Sequence, residues 1–80
     1  MATNLKEKYT ETEMAKNKKF RKLLKERNVK RKALAERLGV SVRTVEYWLN
    51  GRNRPSMQYV IAMAKLFEMS IESVYAIFKT

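Results

Sequence analysis

Eighty residues carrying a net charge of +10 make one small domain. The chain has no cysteine and no histidine, so it lacks a disulfide framework, a thiolate metal site, the commonest general base and the commonest metal ligand. A hydrolytic or metal-dependent enzyme is therefore not expected, and no cofactor is implied.

No apolar run approaches the roughly 18 residues of a membrane span, and no signal-peptide pattern opens the chain. A cytoplasmic protein with no membrane partner is expected.

Residues 1–16 are polar, with Leu5, Tyr9 and Met14 scattered among them, and are expected to form a flexible N-terminal arm before a domain of residues 17–80. Thr10 and Glu13 have capping-box spacing, so a helix start near Glu11 stays open. The preferred start has Asn17 as N-cap and Phe20, Leu23 and Leu24 as the buried stripe.

A second helix is predicted from about Arg31 to Leu38, with Leu34, Ala35 and Leu38 inward. Gly39 follows as a residue able to take positive φ. Ser41 caps a third helix, about Val42 to Leu49, with Val45, Trp48 and Leu49 inward. Asn50-Gly51 ends it, and Arg52-Asn53-Arg54-Pro55 is a short basic loop.

Ser56 caps a fourth helix, Met57 to Phe67, whose inward set is Met57, Val60, Ile61, Ala64 and Phe67. Ser70 caps a fifth, Ile71 to Phe78, with Glu72 complementing the helix dipole and Ile71, Val74 and Phe78 closing the core. No strand alternation or internal repeat appears. The class is all-α with five helices.

Charge is segregated along this plan. Residues 16–54 hold fourteen Lys or Arg against three Glu, whereas residues 55–80 hold two against two. Phe20, Leu23, Leu24, Val29, Leu34 and Leu38 interrupt the basic block at helical spacing. That favours a folded basic surface over a disordered tail, and a polyanion as partner.

The second and third helices enclose a three-residue turn, Gly39-Val40-Ser41. Small Ala35 lies four positions before the glycine and β-branched Val45 six after it, which is the packing pattern of a helix-turn-helix. Residues 20–74 resemble the DNA-binding domain of the lambda repressor and Cro family. The likeness runs through Leu34-Ala35, Leu38-Gly39-Val40-Ser41, Val45, Trp48, Asn50-Gly51, Arg54-Pro55-Ser56-Met57, Ala64, Phe67, Met69-Ser70-Ile71 and Val74.

The resemblance implies a five-helix lambda repressor-like fold whose third helix enters the major groove. By matched position, Ser41, Val42, Arg43, Glu46 and Tyr47 face bases. Arg43 can fork onto guanine O6 and N7, and Val42 can pack on a thymine methyl. Tyr47 can meet a phosphate or a base edge. Glu46 can accept from cytosine N4 or tie down Arg43. Phosphate contacts are expected from Arg31, at the start of the second helix, and from Thr44, Asn50, Arg52 and Arg54. Trp48, by its spacing from Val45, belongs to the core.

Three departures from the family pattern stand out. The second helix opens with Lys30-Arg31 in place of Ser or Thr followed by Gln, which removes a cap worth about 1 kcal/mol. Leu24 and Leu49 occupy positions where many relatives carry an Arg–Glu pair, and they are expected to pack together, since apolar replacement of a buried ion pair is often neutral or stabilising. No added C-terminal module is expected after the fifth helix.

These features lead to a sequence-specific regulator of transcription, a repressor by preference, bound to a double-stranded DNA operator as a homodimer on a palindrome. Tyr75, Ile77 and Phe78 are candidates for the apolar dimer contact or for finishing the monomer core. One alternative is an antitoxin or accessory factor whose main partner is a protein. Another is binding of RNA or duplex by charge alone.

Overall fold

The structure is a computed structural model that describes residues 17–79; the expected arm, 1–16, and the alternative start near Glu11 lie outside the described residues. Five α-helices follow one another: α1, Lys18–Glu26; α2, Arg31–Leu38; α3, Val42–Leu49; α4, Met57–Phe67; and α5, Ile71–Phe78. No strand occurs among the described residues.

Local chemistry sets the starts. Asn17 Oδ1 accepts from the Phe20 N–H at 3.0 Å, Ser41 Oγ from the Thr44 N–H at 3.1 Å, and Ser70 Oγ from the Ser73 N–H at 3.0 Å. Lys30 gives α2 no side-chain cap, as its residue type requires. Ser56 differs from expectation: it stands at the N-cap of α4, but its hydroxyl makes no capping bond. The Ser56 carbonyl instead accepts from Tyr59 and Val60 at 3.0 and 3.1 Å, next to a buried Pro55.

The ends of α1, α2 and α4 share one construction. Asn28, Gly39 and Glu68 take positive φ of 56°, 74° and 56°. An apolar residue follows each: Val29, Val40 and Met69, all packed on the core. Their N–H groups reach back to the Leu24, Ala35 and Ala64 carbonyls at 2.9, 3.0 and 2.9 Å. This Schellman arrangement satisfies carbonyls that the helix leaves open and turns the chain within three residues.

The core draws on every helix: Phe20, Leu23 and Leu24; Leu34 and Ala35; Val45, Trp48 and Leu49; Val60, Met63, Ala64 and Phe67; Val74 and Phe78. Phe20 meets Phe78 edge-on at 4.8 Å, joining α1 to α5. Two expectations for α4 and α5 are corrected. Met57 is 50% and Ile71 42% exposed, whereas Met63 is fully buried. The stripe of α4 is Val60-Met63-Ala64-Phe67, at i, i+3, i+4 and i+7, and Ile61 lies one step off it, half-buried. Met57 and Ile71 are first residues of their helices, where the stripe runs past the edge of the core.

Leu38 is half-buried. Phe78 finishes the monomer core, Ile77 is half-buried, and Tyr75 stays 44% exposed.

Two polar residues bind the helices to one another. Asn17 donates from its backbone N–H to the Leu49 carbonyl at 2.9 Å and from Nδ2 to the Ile77 carbonyl at 3.1 Å, so one residue joins the start of α1 to the ends of α3 and α5. Arg27 donates from Nη1 to the Phe67 carbonyl at 2.6 Å, with its guanidinium 5.9 Å from the Phe67 ring centroid. A cation is well placed against the C-terminus of α4.

Candidate nucleic-acid interface

The pair α2–α3 is held by apolar contact beneath its turn. Ala35 and Val45 are buried, at 2% and 0% exposure. A Cβ at Gly39 would meet nothing within 4 Å, so glycine is required there for its left-handed backbone and not for space.

Caps and core orient α3 so that Val42 and Arg43 are exposed and Glu46 and Tyr47 half-exposed. The five residues expected at bases therefore share the exposed side of one helix, but their surroundings differ. Ser41 Oγ is occupied by the Thr44 N–H and is hydrogen-bonded to Thr44 Oγ1 at 3.0 Å. Glu46 Oε2 lies 3.7 Å from Arg31 Nη1. The carboxylate is turned to Arg31 of α2, a partner not expected from the sequence, and not to Arg43. The Tyr47 ring carries the Arg52 guanidinium at 5.2 Å. Val42 and Arg43 have no such partner among the described residues.

The residues expected at phosphates are only partly gathered. Arg31 and Asn50 line one hollow together with Arg43, Glu46, Tyr47 and Leu49. Arg52 adjoins it: its N–H donates to the Tyr47 carbonyl at 2.9 Å and to Asn50 Oδ1 at 3.0 Å. Thr44 is half-buried and engaged with Ser41. Arg54 lies apart, lining a second hollow with Lys18, Lys19 and Trp48. Trp48 itself is 3% exposed and packs against Tyr59 at 5.7 Å, a core position.

One group was not singled out in the sequence. Arg21, Lys25 and Lys30 line a hollow with Arg31, Leu24 and Leu49, extending the basic surface from α2 onto α1. The signal was present in the basic block that begins ahead of the turn and in the one-turn spacing of Arg21 and Lys25. Leu24 and Leu49, 6% and 4% exposed, share this hollow and one core cluster. No buried charged or polar residue occurs beside them among the described residues.

No described helix is long and apolar enough to cross a membrane. Compared with known proteins, residues 20–74 match a family model described as helix-turn-helix. No curated protein and no solved structure matches the chain.

Proposed function

The chain belongs to the lambda repressor/Cro-type helix-turn-helix family and is a DNA-binding helix-turn-helix regulator; on that premise we propose that it represses transcription by occupying a specific duplex operator. The observation that carries this reading is the gathering of Arg31, Arg43, Glu46, Tyr47 and Asn50 around one hollow on the exposed side of α3. A surface of net positive charge there attracts the phosphate backbone, and exposed Arg43 and Val42 supply the two contact types that distinguish base pairs in the major groove.

In this reading α3 enters the groove. Arg31, Asn50, Arg52 and Arg54 set its register by meeting phosphates, and Thr44 supports them. Arg21, Lys25 and Lys30 continue the phosphate track. Ile71 and Tyr75, one helical turn apart on α5 and 42% and 44% exposed, are the apolar surface for a second copy on half-sites about 34 Å apart.

Selection from a random duplex pool tests the reading, followed by affinity measurements against salt. A motif should be enriched, and log affinity should fall by about 0.9 per decade of salt for each phosphate neutralised. Absence of any enriched motif, with selected and random duplexes losing affinity in parallel, would overturn it. Light scattering on a palindromic duplex tests the second copy, which a single bound chain would exclude.

A further inference from the structure

Three of the five side chains on the outer face of α3 are already engaged within the protein, and each engagement has a distinct purpose. Ser41 spends its hydroxyl on the start of α3. Glu46 pairs with Arg31 at 3.7 Å, reaching from α3 to the first residue of α2. Tyr47 supports the Arg52 guanidinium at 5.2 Å, and its carbonyl takes the Arg52 N–H at 2.9 Å. The two engaged arginines flank the helix, one before it and one after it.

The geometry points to a division of labour on this face, in which Glu46 and Tyr47 are positioning residues that hold Arg31 and Arg52 at the phosphates, while Val42 and Arg43 alone read sequence. The inference rests on the DNA-binding reading above and deepens it.

The chemistry supports the division. A guanidinium has five N–H donors, so pairing with one carboxylate leaves others for a phosphate. Glu46 would be repelled by the phosphate backbone unless a cation neutralised it, and Arg31 does so. Ordering a free arginine side chain costs rotamer freedom, so a side chain already held loses less on binding. A ring face attracts a cation without using the phenol hydroxyl, so the aromatic surface of Tyr47, not its oxygen, is the working part. Arg43 has no competing partner among the described residues and keeps its whole fork for a base.

The test compares motifs selected from a random duplex pool by the wild type, Glu46→Gln, Tyr47→Phe, Tyr47→Leu and Arg43→Ala, with helicity by circular dichroism confirming that each is folded. Arg43→Ala should lose preference at one base pair. Tyr47→Phe, which keeps the ring, should bind more tightly than Tyr47→Leu and select the same motif. Tyr47→Leu should weaken selected and random duplexes alike, by about two- to fivefold, the worth of an exposed cation–π contact, with the motif unchanged. Glu46→Gln should keep the motif.

Double-mutant cycles of Glu46→Gln with Arg31→Ala, and of Tyr47→Leu with Arg52→Ala, should be non-additive. A changed motif in Glu46→Gln or Tyr47→Phe, or additive cycles, would overturn the division. Failure of the wild type to enrich any motif would sink the function itself, whereas a motif enriched by the wild type and altered in Tyr47→Phe sinks this assignment alone.

Discussion

The turn after α2 and the turn after α4 have the same backbone and opposite uses. Each places a left-handed residue, Gly39 or Glu68, before a half-buried apolar residue, Val40 or Met69. Each then starts the next helix on a serine, Ser41 or Ser70, that accepts an N–H from three residues on. Both serines also bond a hydroxyl there: Ser41 with Thr44 at 3.0 Å, and Ser70 to Ser73 at 2.8 Å.

After the first turn comes a helix whose outer face shows Val42 and Arg43, flanked by Arg31 and Arg52. After the second comes one whose Val74 and Phe78 disappear into the core. The turn is a way of joining two helices and does not carry the function. What the following helix displays does, together with a charge map that puts the basic excess before residue 55.

Four tests, using six substitutions, would break or sharpen that comparison. Phe67→Ala, at the end of α4 and fully buried, should cost about 3–5 kcal/mol, comparable with the whole stability of a domain this small. Thermal unfolding followed by circular dichroism reads this directly. Arg43→Ala beside the other turn should move stability by less than about 0.5 kcal/mol while impairing DNA selection. A large loss of Tm in Arg43→Ala would contradict the separation of reading from packing.

Gly39→Ala comes next. With nothing within 4 Å of the added Cβ, its cost is the backbone term, about 1–2 kcal/mol. Urea unfolding that showed no change would mean the left-handed conformation is not required.

The capping pair is the closest control. Ser41→Ala and Ser70→Ala should each cost about 1 kcal/mol, but only Ser41→Ala should also weaken DNA binding, because it frays the first turn of α3. Equal binding by both variants would argue that α3 is not the inserted helix. The smallest effect is a gain. Glu68→Gly relieves a non-glycine residue at φ 56°. The relief is partly offset by the greater freedom of glycine in the unfolded chain, leaving about 0.5 kcal/mol. A lower midpoint in urea would show that the Glu68 side chain contributes more than its backbone strain removes.

The helix limits were legible because capping is a local matter. Asn17, Ser41 and Ser70 bond N–H groups three residues on, and Gly39 takes a conformation other residues avoid, so a short window of sequence carries the information. Val45 and Trp48 were legible as core for the same reason, through helical period. Met63 was missed because it differs from Ile61 only in which side of α4 meets the other helices. Composition does not fix that rotation. That the basic group on α1 joins the interface is not legible in the sequence, because Arg21 and Lys25 come beside Lys30 and Arg31 only through the way the helices pack.

The sequence by itself determined the helices, the turn between α2 and α3, the all-α class and the part of the chain that carries the positive charge. All of these follow from short-range periodicity, capping chemistry and charge count. Only the tertiary structure decided the pairings. Glu46 faces Arg31 and not Arg43, Arg52 rests on Tyr47, and Asn17 gathers the ends of α3 and α5. Such contacts depend on the angle and height at which helices cross, which packing of the whole core sets and no local window contains.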